Sequence, residues 1–159
     1  TVFFSTTLVS NVFWGIVGEK LGWMKVVRWF GCIGMALSTL CFYYLPQYYN
    51  TIAEAGMNGA SNAEFMMAWI PAILLGWFVA AFVPMTAVFT TLEPNHQGAA
   101  ISVYNLSAGL SNFLAPAIAT ILLPHFSFIG VVYAYAALYI FAFVITYFIK
   151  VKQPGFETA

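Results

Sequence analysis

Apolar residues run along this chain in long stretches, broken by short polar interruptions. A helix crossing the hydrocarbon of a bilayer needs about 20 mostly apolar residues. Five stretches meet or approach that length: residues 2–18, 26–44, 65–91, 98–123 and 128–149. The pattern predicts an all-α polytopic membrane protein with five transmembrane helices. The third stretch is long and holds Pro71 and Pro84. Each proline removes a backbone hydrogen bond and bends the helix, which a membrane bundle tolerates where neighbours compensate.

Polar positions divide the spans. Span one carries Thr7, Ser10, Asn11 and Trp14 at helical offsets on one face, with Phe4, Leu8, Val12 and Ile16 on another. Span four carries Asn105, Gly109, Asn112 and Pro116 in one row, with Ser107 and Ser111 beside it and Val103, Leu106, Leu110 and Phe113 opposite. Span three has small residues or proline at every fourth position, at Ala68, Ala72, Gly76, Ala80 and Pro84, flanked by Trp69 and Trp77. Such a row permits close helix approach. Spans two and five are apolar nearly all round and read as lipid-facing.

Composition agrees with this picture. The chain has 159 residues, 62% hydrophobic and 6% charged. Soluble domains carry about 25% charged residues, so the main solvent expected here is lipid. Net charge is zero and no basic run could follow a phosphate backbone, which excludes nucleic acid as a partner. Cys32 and Cys41 are nine residues apart in one span, about 13 Å of helix rise and too far for a disulfide. The chain lacks an initial Met and a basic leader before its first span, as expected of a piece from inside a longer protein.

Charge decides orientation. Lys20, Lys25 and Arg28 surround the first turn, Lys150 and Lys152 follow the last span, and the other loops hold no Lys or Arg. With five spans, all the basic residues fall on one side, which the positive-inside rule makes cytoplasmic. The expected location is the cell membrane, multi-pass, with a cytoplasmic C-terminus.

The first turn also carries a motif. Gly15, Glu19, Lys20 and Gly22 in "GIVGEKLG" follow the order glycine, three residues, acid, base, any residue, glycine. This resembles the signature loop of the major facilitator superfamily, with Glu19 where Asp is usual and with Trp23 and Met24 where bases are usual. The later bases are Lys25 and Arg28. That family carries the loop after its second and eighth helices, and only the second copy leaves four helices to follow. "LEPNHQGAA" at 92–100 resembles the loop before helix eleven. "AISVYNLSAGLSNFLAPAI" and "VVRWFGCIGMALSTL" are similar to helices eleven and nine of bacterial polyol permeases, the ribitol and arabinitol transporter group. The resemblance implies that residues 1–159 are helices eight to twelve, a C-terminal transporter half incomplete at its N-terminus. The missing N-terminal half of the same protein is then an expected partner, with the bilayer.

The resemblance implies a gating role for Gly15, Glu19, Lys20, Gly22 and Arg28. A helix N-terminus favours an anion by about 0.3–1 kcal/mol, and span four begins on the same side at Gly98. A Glu19 contact there would exist only with the cytoplasmic ends closed. The simpler reading is that this turn only anchors topology.

Trp77, Asn11, Asn105, Asn112 and Trp69 are the candidate substrate residues. Amides offer donor and acceptor to hydroxyls, and indole faces pack on C–H surfaces. Trp77 lies near mid-span, while Trp69 also fits an interfacial belt. The simpler reading of the asparagines and serines is interhelical bonding, worth about 0.6 kcal/mol each. Apart from Arg28 at the start of span two, no charge lies within a span, which favours a neutral polyol or sugar; a co-transported proton has no carboxylate at mid-membrane here. No catalytic set, metal-ligand cluster or cofactor loop exists in the sequence, so no enzyme, cofactor or metal is expected. The expected function is that of a fragment of a secondary transporter for a small neutral solute. The alternatives are a transporter of organic acids or drugs, and a membrane scaffold whose helices only pack.

Overall fold

The computed structural model describes residues 2–54 and 61–153, with side chains at 52–54, 61–66 and 68 outside the description. Among the described residues the regular structure is helical: α1 (Val2–Leu21), α2 (Trp23–Val26), a π-helical stretch (Val27–Ile33), α3 (Gly34–Glu54), α4 (Ser61–Val79), a 3-10 turn (Ala80–Phe82), α5 (Met85–Leu92) and α6 (Gln97–Thr146). Four helical stretches in the described residues are long and apolar enough to cross a membrane.

The last of them accounts for two of the five expected spans. α6 runs for 50 residues, about 75 Å if straight at 1.5 Å per residue, against a hydrocarbon core of about 30 Å. It breaks at Ser127, where φ is 58° and ψ −175°. The Tyr135 hydroxyl donates to the Ala115 carbonyl at 2.5 Å, a pair that a straight helix would hold about 30 Å apart. The chain therefore doubles back at Ser127. A Cβ at Gly130 would fall on the Phe126 side chain, so the reversal needs glycine there.

Other boundaries shift. α1 continues beyond residue 18 to Leu21, which puts Glu19 and Lys20 in its last turn. The chain leaves α1 at Gly22, whose φ of 101° lies in a region that glycine enters without steric cost. α3 passes through Pro46 and ends at Glu54, so part of the expected second loop is helix; one proline costs one backbone bond and does not end it. Glu54 and Glu64 lie outside the described side chains. Pro84 follows the 3-10 turn, so span three is bent there as expected, whereas Pro71 sits inside α4.

Packing follows the small residues. α1 runs parallel to span three. Phe3, Thr6 and Thr7 lie against Gly76, Trp14 packs with Ala80 and Ala81, and Gly18 meets Pro84. A Cβ at Gly76 would sit 2.7 Å from the Phe3 carbonyl oxygen, so the backbones approach as the small-residue row predicts. The polar face of span one is the packed face: Ser10, Trp14 and Gly18 are buried, and Phe4, Leu8, Val12 and Ile16 are exposed.

Span two corrects an expectation. It is the most extensively buried of the long helices and not lipid-facing all round. Its glycines explain this, for Gly31 meets the Phe82 ring and Gly34 the Phe78 ring. The wide π-helical turns of span two thus face the tight 3-10 turn of span three. The second half of α6 packs antiparallel on the other side of span two, joined by Arg28 to Thr146 and Tyr147, Trp29 to Phe143, Tyr43 to Phe128, and Tyr44 to Tyr133.

Candidate functional site

Trp77 is half-buried one turn before the 3-10 break, and its ring lies 5.0 Å from Phe13 and 6.1 Å from Trp14 by centroids. The Trp14 indole N–H donates to the Trp77 carbonyl at 2.8 Å. Trp14 is 3% exposed. A buried indole N–H normally needs an acceptor, and a carbonyl beside a helix irregularity supplies one. Asn11 lies between Thr7, which touches Gly76, and Trp14, which touches Trp77, at helical offsets of four and three. The junction of α1 and span three thus brings Asn11 and Trp77 to one neighbourhood. Asn11 makes no hydrogen bond among the described residues, so its amide is available.

Asn105 and Asn112 are placed differently. Both are exposed on the first half of α6, as are their apolar neighbours Leu106 and Phe113. This half meets α5 through Tyr104 and Phe89, whose ring centroids are 5.5 Å apart. The serines between the two asparagines do not tie helices together. Ser107 donates to the Val103 carbonyl at 2.9 Å and Ser111 to the Ser107 carbonyl at 2.8 Å, each satisfied within its own helix. The Asn105 and Asn112 amides make no side-chain hydrogen bond among the described residues. Trp69 is 39% exposed near the middle of α4, eight residues before Trp77. An apolar groove of about 600 Å³ lies on α3, lined by Leu37, Cys41, Tyr44 and Tyr48, away from the candidate residues.

The gating residues separate into two groups. Glu19, Lys20 and Lys25 are exposed, and none makes an ion pair among the described residues. Glu19 lies in the last turn of α1, and the start of α6 has no side-chain cap. The nearest acid to that start, Glu93, instead pairs with His96 at 3.2 Å. Arg28 is engaged elsewhere. Its Nε donates to Thr146 Oγ1 at 3.0 Å, its guanidinium donates to the Thr146 carbonyl at 2.9 Å, and it stacks 3.9 Å above the Tyr147 ring. A cation on the closing carbonyl of a helix is favoured by the helix dipole. Gly15 has open space around it, and Gly22 makes the turn.

One residue outside the sequence-predicted set organises this end. Gln153 accepts from the Trp23 backbone N–H at 2.7 Å, and its amide nitrogen donates to the Gly18 and Glu19 carbonyls at 3.4 and 3.5 Å. It thus serves the free ends of two helices at once. No local pattern signals a contact across 130 residues. Trp14 was visible in the polar stripe of span one, but its acceptor was not. Among the described residues no three His, Cys, Asp or Glu side chains gather as metal ligands.

Comparison with known proteins adds to this geometry. Residues 1–158 match the family model described as Major Facilitator Superfamily. The chain is 70% identical to a protein named as a ribitol transporter of Klebsiella pneumoniae over 156 residues, which is 98% of this chain and 34% of the relative. It is 68% identical to a D-arabinitol transporter of the same organism, over 98% of this chain and 34% of the relative. An alpha-ketoglutarate permease of Bacillus subtilis (strain 168) is 36% identical over 98% of this chain and 33% of its own length. The chain spans about a third of the length of these curated relatives. No solved structure gives a significant match. The relatives are named as transporters or permeases and not as enzymes, in line with the non-enzymatic reading.

Proposed function

The chain belongs to the major facilitator superfamily, a multi-pass membrane protein, and from this premise we propose that it is the C-terminal five-helix part of a secondary transporter for a small neutral polyol. Its closest fit of substrate is ribitol or arabinitol. The observation that carries the reading is the identity of 70% and 68% to relatives named for those two polyols, across nearly the whole chain. Chemistry supports it. The candidate wall holds amides and an indole, Asn11, Asn105, Asn112 and Trp77, and no charge lies between Glu93 and Lys150. A neutral polyhydroxyl ligand needs donors and acceptors in pairs and no counter-ion.

Transport would proceed by alternating access, with the rest of the cavity supplied by the N-terminal part of the same protein. The exposed faces of α1 and of the first half of α6 are the surfaces for it. Gln153 ties the tail to the first turn, so the lysines of both lie at one end of the bundle, which supports a cytoplasmic C-terminus. Glu19 and its turn would bias the outward-facing state by contacts made only when that end is closed.

A second reading, an organic-acid carrier, draws on the alpha-ketoglutarate permease at 36% identity. A dicarboxylate would want a cation in the cavity, and the spans here offer none except Arg28, which is held by Thr146. Ligand-induced stabilisation separates the two. Ribitol or arabinitol should raise the unfolding temperature of the full-length protein in detergent, since a ligand that binds only the folded state stabilises it. A shift with alpha-ketoglutarate and none with either polyol would favour the acid carrier.

A further inference from the structure

The end of the bundle that carries Gly22 has a feature that lies outside the polar substrate wall. Gln153 bonds the Trp23 N–H and the Gly18 and Glu19 carbonyls through a neutral amide. Lys152 precedes Gln153, Lys20 follows Glu19, Lys25 lies two residues beyond Trp23, and Lys150 is in the same tail segment. The dock therefore draws lysines from two remote parts of the chain to one place. All four are exposed, and none makes an ion pair among the described residues. Arg28 is spent on Thr146, and Glu19 is the acid of this turn.

Gathering four ammonium groups beside one carboxylate is repulsive unless an anion lies over them. The surroundings say what kind. Trp29 is 55% exposed and Tyr147 50% exposed at the same end. Large exposed aromatics beside lysines, in a chain embedded in a bilayer, belong at the level of the lipid headgroups. We propose that the turn at Gly22 and the docked tail form one surface for anionic phospholipid headgroups, assembled by Gln153. Each lysine near an anionic membrane surface contributes about fivefold in affinity, and salt screens it. The inference rests on membrane embedding alone and stands whatever the substrate is.

The test is native mass spectrometry of the full-length protein in detergent, titrated with dioleoyl phosphatidylglycerol or dioleoyl phosphatidylcholine. The expected result is at least tenfold tighter retention of phosphatidylglycerol, weakening as salt rises. Gln153→Ala changes no charge, yet it should cut the preference several-fold by releasing the tail. Gln153→Asn, an amide one methylene shorter, guards against misfolding and should also cut it. Lys20→Gln combined with Lys152→Gln should cut it similarly, and Gln47→Ala at the other end should leave it intact. Equal affinity for the two lipids in the wild-type protein would overturn the proposal. So would a full preference in both Gln153 variants, or a loss in Gln47→Ala as large as in the lysine pair.

Discussion

The indole N–H of Trp14 donates to the backbone carbonyl of Trp77 at 2.8 Å, joining α1 to span three across 63 residues of sequence. The bond sits in a core of Trp14, Val26, Ala80 and Ala81, with Val17, Trp77 and Phe78 packed on it. Trp14→Phe keeps most of the ring and strands the carbonyl. The expected loss is about 0.5–1.5 kcal/mol. Trp14→Ala adds a cavity and should cost about 3–5 kcal/mol. Thermal unfolding in detergent measures both, and a Trp14→Phe protein as stable as wild type would show the bond to be incidental.

Arg28 holds the end of α6 with two donors and stacks on Tyr147. Lysine has no planar fork and cannot repeat that geometry. Arg28→Lys should therefore speed amide exchange several-fold at residues 144–149, and Arg28→Gln should speed it further. Hydrogen exchange read by mass spectrometry would show it. Equal protection in all three proteins would mean that the last helix is held by its apolar face alone.

Much of this fold could be read from the chain's periodicity. The spans, the small-residue row on span three and the bend at Pro84 all follow from spacing. The burial of span two did not, because Gly31 and Gly34 gain meaning only when Phe82 and Phe78 stand opposite. Residue types therefore suggested an apolar helix, while packing made it an inner one. The site divides the same way. Asn11 and Trp77 share one neighbourhood because Gly76 lets α1 approach α4. Asn105 and Asn112 stay exposed on the first half of α6. Gln153 and Arg28 act across more than a hundred residues, beyond the reach of any local pattern.

Glu19 carries opposite expectations in two settings. In this chain it lies in the last turn of α1, at the negative end of the helix dipole. Glu19→Gln should leave the chain as stable or more stable, by a few tenths of a kcal/mol. In the full-length transporter the same change should weaken cytoplasmic closure. Engineered cysteines facing the cytoplasmic cavity should label faster, and outward-facing ones slower. Unchanged labelling on both sides would leave the turn as an anchor of topology.

The polar wall predicts substrate affinity. Trp77→Ala, Asn105→Ala and Asn112→Ala in the full-length protein should each weaken polyol binding several-fold, since a lost neutral hydrogen bond costs about 0.5–1.5 kcal/mol. Val103→Ala, on the opposite face of span four, should not. Wild-type affinity in all three site variants by equilibrium binding would move the substrate elsewhere and leave these residues to helix packing.

The central claim is that this chain belongs to a polyol transporter, and radiolabelled counterflow tests it most directly. The full-length protein, reconstituted in liposomes preloaded with unlabelled ribitol or arabinitol, should accumulate the labelled polyol transiently. Glucose and alpha-ketoglutarate should fail to compete. Absence of counterflow for both polyols, with folded protein in the membrane, would contradict the account, and counterflow of alpha-ketoglutarate instead would replace it.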